Sequence, residues 1–430
     1  MQAAPATVSK APQRVLAVDV LRGLTIALMI LVNDPGDWDH VYSQLDHAAW
    51  NGFTLTDFVF PNFLFLVGVS IVFSLESRAA RGNCRLTLTG HIFRRAATLF
   101  AIKMFLTAFP HFHLTHLRIF GVLTRIALCY LVVSLLCLLT RRAQALIAIA
   151  AALLVGYWAL MRFVPVPGIG VPTHAIPILD PNNNLAAWLD RAFNAFTQRW
   201  LHTGRLYETT RDPEGLLSTL PAIATTLLGA VTGLWLRRVN HGDCHSDPEL
   251  GSGEESPHSV RSAVAVSPTR CLVGLIASGL VSLALGLLWS HWFPINKNLW
   301  TSSYVLFASG WSLLLLALCY WIIDIRRMNE KPIGRALLWP WLVFGSNAIT
   351  AFVVSNFLVE CALWIKVPAG ALVNATDPSK PISVWLWTYT HLFARHSSTN
   401  VTSLAFAIAV VALCFLPNWL LWRKKIFLKV

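Results

Sequence analysis

The first feature of this 430-residue sequence that points to chemistry is a set of charged and amide side chains inside or beside long apolar runs, where an unpaired charge is costly. Asp19 and Arg22 stand three residues apart, so they share one helix face and can pair. Asn33 closes the same run. After a Pro-Gly turn the chain reaches His47, Trp50, Asn51, Thr54, Thr56 and Asp57 before the next run begins. An imidazole among carboxylates and amides is suited to accept a proton near neutral pH, although a solvated, idle loop histidine has the same local look. Farther on, Asp212 and Glu214 of an Asp-Pro-Glu-Gly segment precede another apolar run, where acids favour the positive end of a helix dipole. Asn296, Lys297, Asn298 and Trp300 place amides, a cation and an aromatic ring in one short loop. Lys103 and Arg125 fall within apolar runs and so are not ordinary solvated charges. His111, His113 and His116 have a weakly metal-like spacing, but no carboxylate or Cys completes the set, and no metal is expected. There is no Gly-rich phosphate loop, and the eight Cys show no paired spacing and read as packing residues.

The elements that must position these residues are membrane helices. Only 13% of the chain is charged, 55% is hydrophobic, and mean hydropathy is +0.57, which excludes an ordinary soluble domain. Ten runs long enough to span a bilayer lie near 16–33, 58–77, 92–109, 118–139, 144–163, 216–236, 269–289, 302–324, 337–360 and 401–422. The expected fold is an all-α polytopic membrane protein of about ten transmembrane helices. The run from Val384 to Phe393 is too short to span and reads as re-entrant or interfacial.

The net charge of +13 arises from Lys and Arg that recur at alternate span ends, so it marks the cytoplasmic side and not a nucleic-acid partner. Lys10 and Arg14, Arg78 to Arg85, Arg141 and Arg142, Arg237, Arg238 and Arg261, Arg326 to Arg335, and Arg423 to Lys425 all fall on that side. The loop from Asp34 to Asp57 has five Asp and no Lys or Arg, and is expected outside. Both termini are then cytoplasmic. Residues 1–14 read as a cytoplasmic tail and 15–430 as one transmembrane domain, with 164–215 an outer cap and 240–267 a disordered cytoplasmic linker. Within the cap, Leu185, Trp188, Leu189, Phe193, Phe196 and Trp200 form one apolar helix face, predicting an amphipathic helix on the outer membrane surface that is either a lid or a structural cap. Asn374 and Asn400 lie in Asn-X-Thr triplets on outer loops.

The runs DVLRGLTIALMILVN (Asp19 to Asn33) and HAAWNGFTLTDFVFPNFLFLVGVSI (His47 to Ile71) resemble the catalytic domain of the heparan-α-glucosaminide N-acetyltransferase family. RIFGVLTRIALCY (Arg118 to Tyr130), DPEGLLST (Asp212 to Thr219), FPINKNLWTSSYV (Phe293 to Val305) and, more weakly, FGSNA (Phe344 to Ala348) agree in order. Thr124 departs from the pattern, which usually has Gln there. The bacterial inner-membrane members are the nearer likeness, because the extra luminal domain and preceding span of the lysosomal enzyme are not seen.

The resemblance implies an integral membrane acyltransferase, expected in a bacterial inner membrane, that takes acetyl from cytoplasmic acetyl-CoA and delivers it to the amine of a glucosamine-type sugar outside. It implies His47 as the active-site histidine, acting as base or as acetyl carrier, and Asn33 as its neighbour, suited to stabilise an oxyanion. Under that reading Asp57, Glu214, Asn296, Lys297, Asn298 and Trp300 hold the sugar. Arg22, Arg94, Arg95, Lys103 and Arg125 are candidates for the polyanionic end of acetyl-CoA. The expected partners are the lipid bilayer and the amino-sugar acceptor, with room for a homodimer. The competing reading is a transporter of N-acetylglucosamine or another amino sugar, although no inverted repeat is evident. Replacing Asn33 by Ala is expected to slow turnover while leaving acetyl-CoA binding largely intact; unchanged turnover would remove Asn33 from the mechanism.

Overall fold

The computed structural model describes residues 15–240, 267–369 and 380–427. Lys10, Arg14, Arg261, Asn374, the tail 1–14 and the body of the 240–267 linker lie outside the described residues. The helices are α1 (Leu16–Asn33), α2 (Leu55–Ala79), α3 (Arg85–Ala108), α4 (Val122–Leu139), α5 (Ala143–Phe163), α6 (Leu185–Leu201) and α7 (Thr219–Asn240). They continue as α8 (Pro268–Trp289), α9 (Ser302–Tyr320, extended by a π-turn to Ile325), α10 (Pro332–Ser346), α11 (Ala348–Trp364), α12 (Val384–Thr388) and α13 (Asn400–Arg423). A short antiparallel ribbon, β1 (Lys366–Pro368) and β2 (Pro381–Ser383), pairs Val367 with Ile382.

The chain is an all-α polytopic membrane protein. Eight described helices are long and apolar enough to cross a membrane, and α10 with α11, bent by 77°, has the length and composition of either a broken ninth span or a re-entrant loop. The remaining expected span is α3, which has the length but carries Arg94, Arg95 and Lys103. The run 337–360 was expected as one helix and is broken. Asn347 leaves helical geometry at φ −132° and ψ 45°, and its side-chain amide donates to the Ile426 carbonyl at 3.1 Å. The expected short piece after Val384 is α12, continued by a π-turn from Tyr389 to Phe393.

Backbones approach closely where glycines meet, as membrane helices without a solvent-driven hydrophobic force require. A Cβ on Gly68 of α2 would overlap the Thr226 carbonyl of α7, and one on Gly229 of α7 would overlap the Phe65 carbonyl of α2. Gly23 of α1 and Gly345 of α10 meet in the same way. Beside that contact Arg22 ties three helices, donating from Nε to the Gly345 carbonyl (2.8 Å), from Nη1 to Ser70 Oγ (3.3 Å) and from Nη2 to Asp19 Oδ1 (2.6 Å).

Helix α6 forms where the apolar periodicity places it, capped by the Asn184 side chain. It seats on the protein through Ala186, Ala187, Asp190 and Thr197, and leaves Phe196 and Trp200 exposed. The bundle therefore has two polar ends. One carries the loop 34–54, the α6 segment and the loop 290–301, and is called the His47 end; the other carries Arg78, Arg94, Arg141 and Arg237, and is called the arginine-rich end.

Gly229→Ala is expected to destabilise the detergent-solubilised protein by about 1–3 kcal/mol, because the α2 backbone has to move. Gly156→Ala, with nothing within 4 Å of the added Cβ, is expected to be neutral or mildly stabilising. Unfolding midpoints of the two variants, measured side by side, check this contrast.

Candidate active site

The site grows from the first turn of α2. Thr54 caps this helix by accepting the Asp57 N–H, and the Asp57 carboxylate returns the contact by accepting the Thr54 N–H at 3.1 Å, a capping box. The buried carboxylate also accepts the Ala48 N–H (3.1 Å) and the His47 Nδ1 proton (2.7 Å). An ionised carboxylate can only accept, so the ring proton of neutral His47 sits on Nδ1 and Nε2 keeps its lone pair. That Nε2 faces Lys297 Nζ at 3.3 Å.

Pro61, one turn into α2, cannot donate to the Asp57 carbonyl, which would otherwise close a helical bond with residue 61. The buried Tyr304 hydroxyl takes that carbonyl at 2.7 Å, fastening α9 beneath the site. The loop 290–301 is fixed just as closely. Buried Asn296 donates from Nδ2 to the Trp50 carbonyl (2.9 Å) and Asn51 Oδ1 (3.2 Å), and accepts the Leu299 N–H (2.9 Å). The Gly52 N–H donates to the Ile295 carbonyl at 2.9 Å.

An acidic turn closes the other side. Arg118 donates to Asp212 from Nε (2.8 Å) and Nη2 (2.6 Å), and from Nη2 to Glu214 Oε2 (2.5 Å). Burial pushes the Glu214 carboxyl up, but the charges of Arg118, Lys297 and Arg125 outweigh it and hold it below its ordinary range. For Lys297, burial lowers the ammonium against the opposite pull of Glu214 and Asp57. Asp190 of α6 accepts the Leu216 N–H (2.9 Å) and the Asp212 N–H (3.4 Å), clipping the turn from above. Trp50 of the His47 loop reaches the same segment, donating to the Leu179 carbonyl at 2.8 Å, and the Arg211 guanidinium stacks over the Trp50 ring at 4.4 Å.

The amino-acid sequence from residue 14 to residue 250, which holds His47, Asp57, Arg118 and Glu214, matches the catalytic-domain model of heparan-alpha-glucosaminide N-acetyltransferase. The chain belongs to that family. It is 29% identical to the human (Homo sapiens) and mouse (Mus musculus) proteins named heparan-alpha-glucosaminide N-acetyltransferase, over 391 residues, 81% of this chain and 54% of each relative. The chain thus spans about half the length of those curated relatives.

Of the residues expected at the site of a heparan-alpha-glucosaminide N-acetyltransferase relative, His47, Asp57 and Lys297 are in direct sequence of contact, with Glu214 facing Lys297. Asn33 is exposed at the end of α1, with no hydrogen bond among the described residues, and Asn298 is half-buried with none. Asn296 shapes the loop. Trp300 is buried, its indole N–H on Thr225 Oγ1 at 3.2 Å and its ring edge-on to Phe60 and Tyr304, so it offers no open face.

The five basic candidates divide between the two ends. Arg125 stacks over Trp300 at 5.0 Å and donates to the Gly215 carbonyl and Ser218, which places it under the acidic turn. Lys103 donates to Thr107 near the Gly121 backbone, also toward the His47 end. Arg94 and Arg95 instead line a cavity of about 190 Å³ at the arginine-rich end, with Arg78, His91, Ser74, Thr98 and Tyr130. No Asp or Glu lines it. Arg95 lies over the Tyr130 ring at 4.6 Å and its buried Nε has no partner. Arg22 is engaged by its three helices. Among the described residues no group of three or more His, Cys, Asp or Glu is arranged for a metal.

Arg118, Asp190, Tyr304, Arg78 and His91 were not singled out from sequence. Arg118 opens the RIFG run and could have been found there; Asp190 interrupts the apolar pattern of α6, and that interruption was its signal.

Burial raises the Asp190 carboxyl from 3.8 to about 6, aided by Asp212 and opposed by its two N–H bonds. A raised carboxyl gives stability that is present below the unfolded value and lost as pH rises through the folded one. Relative to Asp190→Asn, the native chain is therefore expected to lose on the order of 2 kcal/mol between about pH 4 and pH 7. Thermal unfolding of both proteins across that range checks the difference, and parallel curves would refute it.

Proposed function

We propose that the protein transfers an acetyl group across the membrane, from acetyl-CoA on the arginine-rich side to the amine of a glucosamine-type sugar at the His47 end. The activity for which the relatives and the family are named supports this reading. The observation that carries it is His47 held between Asp57 and Lys297, with Nδ1 committed to Asp57 and Nε2, turned to Lys297 Nζ, keeping the lone pair that acts as base.

In this reading the sugar's ammonium approaches the carboxylate-rich mouth and gives a proton to His47 Nε2. The Asp57 carboxylate stabilises the imidazolium that forms. The freed amine attacks the thioester carbonyl and the oxyanion is met by the exposed Asn33 amide; as the carbon–sulfur bond breaks, the proton held by His47 goes to the CoA sulfur, and the second proton shed by the attacking nitrogen is taken up by His47 and released to water. Asp57 acts by orienting the base, since its own lone pairs are already committed to N–H groups. The arginine-lined cavity suits the phosphates of the donor's nucleotide end, because it has three guanidinium groups, no carboxylate and an unpartnered Nε on Arg95. Positive charge at that end favours the cytoplasm, and so the bacterial inner-membrane orientation with both chain ends inside.

The break between α10 and α11 keeps the transporter reading in view, since discontinuous helices build transporter sites. Both readings are separated in sealed vesicles of known orientation, with labelled acetyl-CoA on the arginine-rich side and glucosamine on the other. Acetylated sugar is expected opposite the CoA, at a rate that falls on the order of 10²–10⁴-fold in His47→Ala. Unmodified sugar crossing without transfer would replace the enzyme by a transporter.

A further inference from the structure

Lys297 meets, inside the protein, every requirement that an incoming acceptor amine has to meet. Its Nζ lies 3.3 Å from His47 Nε2, the one ring nitrogen that Asp57 does not occupy. The charges of Glu214, in the acidic turn, and of Asp57 act on its ammonium as they would on that of an incoming amine. The position is also built, because Asn296 and the Gly52 N–H lock the loop 290–301 to the loop that carries His47. Lys297 is half-buried, so its side chain is not sealed inside the protein. Primary amines react with thioesters as free bases, and burial favours the free base here.

We propose that Lys297 is a resident acceptor: in the presence of the acetyl thioester and the absence of an amino sugar, His47 drives acetylation of Lys297 Nζ. This rests on the acetyltransferase reading and deepens it. In the step, the Nζ lone pair forms a bond to the thioester carbonyl carbon and the carbon–sulfur bond breaks with its electrons on sulfur. The proton lost from Nζ passes to His47 Nε2 and then to the CoA thiolate. The product is an amide, which has neither charge nor a basic lone pair. It can no longer pair with Glu214 and Asp57, and it fills the place of the acceptor amine, so the modified enzyme is inactive. Donor without acceptor therefore switches the site off, and acceptor protects it by taking both the position on Nε2 and the acetyl group.

The test incubates the purified full chain with acetyl-CoA alone, with acetyl-CoA plus saturating glucosamine, and repeats both in His47→Ala. Peptide mass spectrometry reads acetylation at Lys297, with exposed Lys331 at the other end as the measure of uncatalysed background. Expected is time-dependent acetylation of Lys297 in parallel with loss of sugar acetylation, at least tenfold suppression by glucosamine, and only background in His47→Ala. Lys297→Arg should escape inactivation on preincubation with acetyl-CoA. His47→Gln repeats the comparison if the Ala variant does not fold. Acetylation of Lys297 at the same rate with and without His47 would overturn the inference, as would a Lys297 left unmodified by acetyl-CoA alone in a preparation that acetylates glucosamine. Failure to acetylate either amine would overturn the acetyltransferase reading as well.

Discussion

A single buried carboxylate organises the His47 end. Asp57 is at once the N3 partner of the cap of α2, the acceptor for the Ala48 N–H and the holder of the His47 ring. The same residue's carbonyl, released from helical bonding by Pro61, is taken by Tyr304 from α9. Removing the charge of an ion in a low-dielectric setting is expensive for everything bonded to it. Here that means the start of a membrane helix, the orientation of the candidate base and the docking of a second helix all depend on one side chain.

The second layer of order is electrostatic balance without solvent. Arg118, Arg125 and Lys297 meet Asp57, Asp212 and Glu214, so each buried charge has an opposite one near it. Asp190 contributes differently. It binds backbone N–H groups of the acidic turn, so the α6 segment holds the turn's shape and not its charge. Through that clip and the Trp50 contacts with Leu179 and Arg211, the segment 164–215 is joined directly to the loop bearing His47. At the opposite end the cavity lined by Arg78, Arg94 and Arg95 has, among the described residues, no carboxylate in its lining, so positive potential accumulates there.

Much of the fold was legible because apolar length is a strong signal, and every expected run except 337–360 became a single helix. The break at Asn347 was not, because Gly345, Ser346 and Asn347 interrupt the apolar run only briefly, and the Ile426 carbonyl that the Asn347 amide meets lies far along the chain. At the site, His47 and Asp57 were readable from their shared loop and family motif. The positions of Arg125, Lys103 and Trp300 were not readable, since composition places a residue in a helix or loop but does not say which way it faces. Asp190 shows the same limit: the large apolar residues of α6 marked an apolar face, while the face that seats on the protein is made of alanines, Thr197 and that one acid.

Helix α2 carries Asp57 in its first turn, and both Ser74 and Arg78, which line the arginine-rich cavity, near its last. At 1.5 Å of rise per residue, the 17 positions from Asp57 to Ser74 correspond to roughly 25 Å along the axis. The helix is thus a ruler laid between the two chemistries. A molecule that touches both ends at once must be slender and nearly straight, and an activated acyl compound much shorter than the helix can occupy one end or the other, but never join them.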